Sequence, residues 1–280
     1  MIVAVLGASG FVGKRLTAAL EARGDDVLPL SLHDPEDAAA RADVADAVIN
    51  LAGAPIAQKW NDAAKREIRE SRTLLPERFI AALGARERRP KTYVSASAAG
   101  YYGTSLEAAF TEADGPGADF LAGVCAEWES VARGASDLGM RVACVRSGVA
   151  LSGEGGALAK MLPPFRVGAG GIVGNGKQWF PWVHLDDLVG IYLLALDSAE
   201  GPLNGTAPGV ATNAEFTKAL GAALHRPTAL PVPTFVLRAM LGEGADVLLQ
   251  GQRVLPERTI ALGYAFRYPT LESAFTELAL

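Results

Sequence analysis

Three glycines near the start of the chain have the spacing of a phosphate-binding loop. Gly7, Gly10 and Gly13 lie in the stretch GASGFVG, between an apolar strand pattern and an amphipathic helix pattern. Such glycines permit a tight turn, a close approach of the backbone to a pyrophosphate, and close helix–strand packing. The helix N-terminus adds amide donors and the positive end of a dipole, so we expect a dinucleotide here. The other loop residues expected to contact it are Ser9, Phe11 and Val12.

The end of the second predicted strand indicates which dinucleotide binds. NAD binders usually carry Asp or Glu there for the ribose hydroxyls, whereas NADP binders often place Arg near the 2′-phosphate. This chain has Ser31 and His33 at that position, and Lys14 or Arg15 lies within reach. No carboxylate at the strand end would repel a phosphate. The sequence therefore favours NADP, with NAD as the alternative.

The elements that position this loop alternate between strand and helix as far as residue 151, which predicts a parallel sheet. Only residues 34–45 separate the second strand from the next, and they contain no apolar run. A full helix–strand–helix crossover does not fit there. We therefore predict an α/β fold, a Rossmann doubly wound parallel sheet that lacks its third strand. Pro29 would then lie on an edge strand, where proline is tolerated.

The composition of the sequence changes from Gly153 onward, where segments rich in glycine and proline begin. We predict a dinucleotide-binding domain formed by residues 1–151 and a returning helix at 185–200. Residues 152–184 and 201–280 would form a smaller substrate lobe.

Composition narrows the range of partners. The net charge of −5 comes without the clustered cations that a nucleic-acid backbone requires. No apolar run approaches the ~18 residues of a membrane span, and Met1 leads directly into a strand, so we expect a cytoplasmic protein that does not bind membranes. Cys125 and Cys144 are too few for a metal site or a disulfide framework. A small-molecule substrate is expected, and a homodimer is left open.

Five motifs suggest a family: GASGFVG, NLAG (50–53), YYG (101–103), RSGVAL (146–151) and WVHLDDL (182–188). Together they resemble the extended short-chain dehydrogenase/reductases of the NAD-dependent epimerase/dehydratase family. Longer phrases, among them MLPPFRVGAGGIVGNGKQWFPWVHLDDL and GQRVLPERTIALGYAFRYP, are similar to the branch labelled cell-division-inhibitor SulA homologues. The last phrase resembles the C-terminal domain of unknown function of that branch.

The resemblance implies a Rossmann core with the cofactor across the strand ends. By position, the residues implied beside the cofactor are Leu51, Ala52, Gly53, Glu67, Arg72, Ser95, Arg146, Gly148 and Ala150. For Arg72 the alternative is a surface ion pair with Glu67 or Glu70.

The same resemblance implies an unusual catalytic site. In the superfamily a Ser or Thr orients the substrate, a Tyr transfers the proton, and a Lys lowers the pKa of that Tyr. The register of YYG puts Ala98 at the Ser position, with Ser97 one residue earlier. The register of Glu129 puts Leu121 and Cys125 at the Tyr and Lys positions. All three standard groups are missing.

Three other side chains could carry the proton. The first is Tyr101, which replaces a small apolar residue of the wider group. The second is Tyr102, which could instead have only a packing role. The third is His184, which could instead make only a structural hydrogen bond. Cys125 is either a small buried hydrophobe or a reactive group near the cofactor. The cations that would favour an anionic substrate are Arg146, Lys160, Arg166 and Lys177, although each alone is more often solvated.

Two hypotheses of function follow. The first is an NADP-dependent oxidoreductase or epimerase that acts on a small carbonyl or sugar-like substrate, neutral or anionic. The second is an NADP(H)-binding sensor or regulatory protein with little or no turnover.

Overall fold

The computed structural model describes residues 1–278, which form ten strands and twelve α-helices. The strands are β1 Ile2–Leu6, β2 Asp26–Leu30, β3 Ala47–Asn50, β4 Thr92–Ala98, β5 Ala109–Phe110, β6 Arg141–Ser147, β7 Val149–Leu151, β8 Trp182–His184, β9 Gly201–Gly205 and β10 Arg253–Val254. The helices are α1 Phe11–Ala22, α2 Pro35–Ala42, α3 Asp62–Glu70, α4 Leu74–Gly84, α5 Phe120–Arg133, α6 Gly156–Arg166, α7 Leu185–Asp197, α8 Asn213–Ala223, α9 Thr234–Leu241, α10 Asp246–Leu249, α11 Glu257–Ala261 and α12 Leu271–Glu277.

The central sheet is parallel and has six strands in the order β2-β1-β3-β4-β6-β9. One helix, α2, connects β2 to β3, and Asp34 caps it by accepting a hydrogen bond from the Asp37 amide (3.0 Å). β2 consequently lies at the edge of the sheet, and Pro29 pairs only with Val5 of β1. The predicted fold, with its missing third strand and its proline on the edge, is confirmed.

Helices cover both faces of the sheet, as a doubly wound fold requires. On one face, α1 and α7 bury Leu16, Ile191 and Tyr192 against the strands. On the other face, α2 and α4 form a second core with Phe79 and Tyr93. The strands are parallel, so their carboxyl ends lie at the same edge of the sheet, between the two helix layers. Ligands bind at this edge in such sheets.

Two breaks in the regular elements shape this edge of the sheet. Helices α3 and α4 are separated at Ser71–Thr73, and Pro76 lies in the first turn of α4, where a missing amide is tolerated. Strands β6 and β7 are separated at Gly148. After Gly148 the chain leaves the sheet, and β7 pairs with β8.

The smaller lobe has its own core, which is built from α6, α8 and α12 around Trp182, Phe216 and Phe275. The predicted domain boundaries stay a prediction. One strand of the segment assigned to the lobe, β9, pairs with β6 in the central sheet. Nowhere in residues 1–278 does a helix combine the length and apolar character needed to cross a bilayer.

One buried carboxylate holds the C-terminal segment against the sheet domain. Asp187, in the first turn of α7, is fully buried and accepts hydrogen bonds from the Tyr264 hydroxyl (3.0 Å) and from the amides of Arg267 and Tyr268 (2.9 Å each). Three donors at one carboxylate satisfy a charge that would be costly to bury alone.

We expect Asp187→Ala to lower the free energy of unfolding by about 2–4 kcal/mol, because it leaves these donors unsatisfied in the interior. Urea denaturation measures the change. The control is Asp197→Ala, which removes a half-exposed partner of Arg23 and should cost about 1 kcal/mol or less. Equal losses in the two variants would contradict a special role for Asp187.

Candidate functional site

The glycine loop has a geometry that only glycine satisfies. Gly7 has φ +84°, and a Cβ atom on Gly13 would lie 2.2 Å from the Gly7 carbonyl oxygen. The Gly10 amide donates to the same oxygen (3.0 Å). The loop is thus folded tightly on itself, and α1 starts directly above the end of β1.

The N-terminus of α1 is open to an anion. Its cap is Gly10, which provides no side-chain hydrogen bond, and the first turn carries no acidic residue. Ser9 and Gly10 are exposed, while Phe11 and Val12 are partly buried. The orphan amides and the dipole of α1 therefore suit a pyrophosphate.

Phe11 joins this loop to the smaller lobe. A Cβ atom on Gly155 or on Gly156 would lie 2.7 Å from its ring, so the ring is in contact with the backbone at the start of α6. Ala150 packs against the same core as Phe11. Gly148 donates its amide to the Gly205 carbonyl (2.9 Å), and Ser95 is fully buried in β4.

The segment after β3 approaches the glycine loop closely. A Cβ atom on Gly7 would lie 3.1 Å from the Ala52 nitrogen and from the Leu51 carbonyl carbon. The side chain of Asn50 accepts from the Ala52 amide (3.1 Å) and donates to the Tyr93 hydroxyl (3.0 Å), which fixes this turn. The sequence-predicted residues Leu51 to Gly53 therefore lie beside the phosphate loop.

Arg72 lies behind Gly53, and its guanidinium is buried. It donates to the carbonyls of Ile68 (3.1 Å) and Ala54 (2.9 Å) and lies 5.2 Å from the ring centroid of Trp128. The alternative of a surface ion pair with Glu67 or Glu70 is wrong. Within residues 1–278 no carboxylate forms an ion pair with this cation. Burial lowers the pKa of Arg72.

The end of β2 carries small polar groups. The Ser31 hydroxyl accepts from the His33 amide (3.3 Å), and both residues are exposed. Arg15 pairs with Asp186 (2.7 Å), so its charge is already used. Lys14 is exposed and forms no ion pair with the described residues.

The face of α5 that would carry the standard pair is apolar. Leu121 lies against Gly100, where an added Cβ would be 3.7 Å from the Leu121 Cβ. Cys125 is buried, and burial raises the pKa of its thiol to about 12. The thiol is therefore protonated at neutral pH, which favours the buried-hydrophobe alternative over a reactive cysteine.

Below this face lies a buried polar network. Glu129 accepts from the Ser97 hydroxyl (2.8 Å) and from two nitrogens of Arg146 (2.8 and 2.9 Å). Arg146 also donates to the Tyr102 hydroxyl (2.8 Å), which donates in turn to the Asn204 side chain (2.7 Å). Burial raises the pKa of Tyr102 to about 12. Ser97, Tyr102 and Arg146 are all engaged with protein groups, which favours structural roles for them.

Tyr101 differs from its neighbour. Its ring centroid lies 3.5 Å from the guanidinium carbon of Arg146 and meets the Tyr102 ring edge-to-face at 5.4 Å. The residue is partly exposed, and its hydroxyl has no hydrogen-bond partner among residues 1–278. Of the two tyrosines, Tyr101 has the hydroxyl that can reach a ligand.

His184 lies in a different cluster. It caps α7, its Nδ1 accepts from the Asp186 amide (3.2 Å), and its ring packs 4.0 Å from that of Tyr268. Burial lowers the pKa of His184, so the ring is neutral and carries its hydrogen on Nε2. The structure brings Tyr101 and Tyr102 together and places His184 elsewhere.

Asn204 is the network residue that the sequence analysis missed. It lies in β9, accepts from Tyr102, and donates to the Leu255 carbonyl (2.9 Å). The main-chain amide of Asn204 donates to the Glu112 carboxylate (2.9 Å). The segment PLNGTA has the short apolar pattern of a strand, but nothing in it indicates that its polar residue meets a tyrosine far away in the chain.

The fold and this edge of the sheet define a Rossmann-fold protein with the features of a dinucleotide site. The chain belongs to the NAD dependent epimerase/dehydratase family, which matches residues 3–207. The domain of unknown function DUF1731 matches residues 232–278. The resemblance found in the sequence is confirmed at this level.

Similar proteins extend over the whole chain. The human epimerase family protein SDR39U1 is 41% identical, over 99% of this chain and 99% of its own length. A chloroplastic homologue from Arabidopsis thaliana is 41% identical, over 98% of this chain and 85% of its own. A crystal structure of the human protein with NADPH superposes with a TM-score of 0.93 at 39% identity, over 100% of this chain and 99% of that one.

We expect Gly13→Ala to weaken NADPH binding at least about tenfold, because the new methyl group displaces α1 from the end of β1 at a cost of about 1–3 kcal/mol. Titration followed by NADPH fluorescence measures the affinity. Gly123→Ala is the matched control, since a Cβ there meets nothing within 4 Å. It should bind NADPH normally and be slightly stabilised. Normal NADPH binding by the Gly13 variant would refute the assignment of the glycine loop as the dinucleotide-binding loop.

Proposed function

We propose that the protein is an NADP(H)-dependent oxidoreductase or epimerase that acts on a small carbonyl or sugar-like substrate without the usual Ser-Tyr-Lys set. The family and the NADPH bound to the human relative support the cofactor. The cofactor supplies or accepts a hydride when bound. The protein must then bind it, orient the substrate and move a proton.

The observation that carries this proposal is the buried, unpaired guanidinium of Arg72. A buried cation without a counter-ion is costly, so such a group is expected to meet an anionic or strongly polar ligand. Arg72 lies directly behind Gly53, where an added Cβ would come within 3.0 Å of the guanidinium. A dinucleotide across the strand ends would supply negative charge and hydroxyl groups in this region. The exposed Glu67 of the preceding helix, α3, is proposed as a second, peripheral contact.

The end of β2 supports NADP over NAD. Lys14, Ser31 and His33 offer a cation, a hydroxyl and an imidazole to a 2′-phosphate. The nearest acidic side chain in sequence, Asp34, is turned toward the Asp37 amide as a helix cap. Binding of NAD remains the alternative.

We expect Arg72→Met to weaken NADPH binding by about tenfold or more, while the free energy of unfolding of the free protein changes by only about 1 kcal/mol, because the lost hydrogen bonds to Ile68 and Ala54 are offset by the removal of a buried charge. Fluorescence titration and urea denaturation measure the two effects. Arg69→Met is the control, because Arg69 is exposed and pairs with Glu127 (2.7 Å). A parallel titration with NADH tests the cofactor preference. A loss of stability without a loss of affinity would assign Arg72 to the fold alone.

We propose Tyr101 as the group that exchanges a proton with the substrate. Its hydroxyl has no protein partner among the described residues, while Ser97 and Tyr102 are engaged and Cys125 stays protonated. The stack on Arg146 holds the ring in one orientation. His184 is a weaker candidate, because it serves as a helix cap in another cluster.

We expect Tyr101→Phe to lower the rate of substrate-dependent NADPH oxidation by about 10²- to 10⁴-fold with little change in NADPH affinity. The rate is measured on a panel of carbonyl compounds. His184→Asn is the control, since Asn also caps helices well, and its rate should stay near that of the wild type. A rate that is unaffected by the loss of the Tyr101 hydroxyl would exclude it as the proton donor.

The second hypothesis, an NADP(H)-binding sensor with little turnover, rests on the apolar side chains of Leu121 and Cys125. They remove proton transfer from the helix face that carries it in related enzymes. Tight NADPH binding without oxidation by any compound of the panel would favour this hypothesis. The contact of Phe11 with the start of α6 would then transmit cofactor occupancy to the lobe.

The remaining predictions from the sequence are unchanged by these proposals. They are a cytoplasmic location, the absence of nucleic-acid and membrane partners, and the open alternative of a homodimer. The narrower resemblance to the branch labelled SulA homologues also stays a prediction and carries no weight in the mechanism.

A further inference from the structure

Arg253, in β10, is a cation whose charge the protein leaves uncompensated. Its guanidinium carbon lies 5.2 Å from the ring centroid of Trp179. Its Nε atom is buried and has no hydrogen-bond partner, and no carboxylate within residues 1–278 forms an ion pair with it. Among the buried side-chain atoms without a partner in this part of the chain, Nε of Arg253 is the one that belongs to a cation.

The position of Arg253 relates it to the substrate end of the site. The next residue, Val254, packs in one cluster with Tyr101 and Tyr102. On the other side, Trp179 lies two residues before Pro181, whose carbonyl accepts from the Val149 amide (2.7 Å). The Arg253–Trp179 pair therefore adjoins, along the chain, the residue that packs on the tyrosines and the segment that leads into β8, whose partner strand β7 follows the turn after β6.

The indole of Trp179 and the backbone of Arg253 are held in place by their neighbours. The Trp179 indole donates to the Leu106 carbonyl (2.9 Å), and a Cβ atom on Gly251 would lie 1.9 Å from the Trp179 carbonyl oxygen. Pairing of β10 with β5 sets Arg253 opposite Ala109. The Trp179 indole and the backbone of Arg253 therefore need little reordering when a ligand binds, and only the arginine side chain loses freedom.

The chemistry of this pair suits an oxyanion. An aromatic ring against one face of a guanidinium leaves the N–H groups at its edge available, and their fork matches the two oxygens of a carboxylate or a phosphate. Such a ligand would also satisfy the shielded Nε atom. We propose that Arg253 and Trp179 form a subsite for an anionic group of the substrate, either a carboxylate or a phosphate. The identification of the ligand as substrate rests on the proposed function.

The other cations do not offer the same combination. Arg146 is neutralised by Glu129, to which it donates twice (2.8 and 2.9 Å). Lys160, Arg166 and Lys177 are exposed, so water competes for their charges. The anionic preference considered from the sequence is therefore reassigned from these four residues to Arg253.

The test is a binding experiment on the NADP-saturated protein, which requires no turnover. The probes are benzoate, phenyl phosphate and the neutral benzyl alcohol, and their affinities are measured by ligand-observed NMR or calorimetry. The variants are Arg253→Gln, which removes the charge, Arg253→Lys, which retains it, and Lys177→Gln, which removes a charge of the same sign from an exposed site in the same lobe.

We expect Arg253→Gln to weaken at least one anionic probe about tenfold or more, Arg253→Lys to recover part of that affinity, and Lys177→Gln to have no effect beyond about twofold. The affinity for benzyl alcohol should not change. The probe that loses more affinity distinguishes a carboxylate subsite from a phosphate subsite.

The proposal is overturned if neither anion binds the wild-type protein, if Arg253→Gln binds both anions normally, or if Lys177→Gln causes an equal loss. A fall in NADP affinity in Arg253→Gln would also overturn it, because Arg253 would then belong to the cofactor site. Failure of the enzyme hypothesis is seen separately, as an absence of substrate-dependent NADPH oxidation by the wild-type protein.

Discussion

The buried ion pair between Glu129 and Arg146 holds the centre of the site together. Burial alone would lower the pKa of Arg146, but the hydrogen bonds and the charge of Glu129 raise it, so the guanidinium stays charged. Two charges removed from water are stable only when further hydrogen bonds surround them, and here Ser97 and Tyr102 supply those bonds. The pair thereby joins α5 to β4 and β6, and Tyr102 extends the connection to Asn204 of β9.

This arrangement explains how α5 keeps its place although its face toward the site is apolar. Glu129 fixes the register of α5 from its buried end, while Leu121 and Cys125 require only apolar surroundings on the face above. The positive charge of Arg146 lies beneath the ring of Tyr101 rather than on the helix. The polar groups of the site are therefore shifted from α5 to the turn that follows β4. Tyr101, the proton donor proposed above, lies in that turn.

Residue spacing and composition within short segments of the sequence predicted those parts of the fold that depend on neighbouring residues. The glycine spacing predicted the tight turn between β1 and α1, and the short, polar segment 34–45 predicted the missing strand and the edge position of Pro29. The burial of Arg72, the stack of Tyr101 on Arg146 and the bond from Tyr102 to Asn204 were not predictable in this way. Each joins residues that are separated along the chain or depends on packing between elements, so no neighbouring residue indicates it. An arginine near several glutamates looks like a surface ion pair until the fold shows that the turn between α3 and α4 directs it inward.

The contact between Phe11 and the backbone of Gly155–Gly156 has a thermodynamic consequence. One aromatic ring contacts the first turn of α6 from the residue that follows the glycine turn, so the two turns cannot be displaced independently. Any ligand that changes the position of one of them changes the free energy of the other. Such coupling is reciprocal: a cofactor that orders the lobe raises the affinity for a second ligand by the factor by which that ligand raises the affinity for the cofactor. Glycine at positions 155 and 156 keeps the Phe11 ring in direct contact with the backbone, because any side chain there would push the ring away.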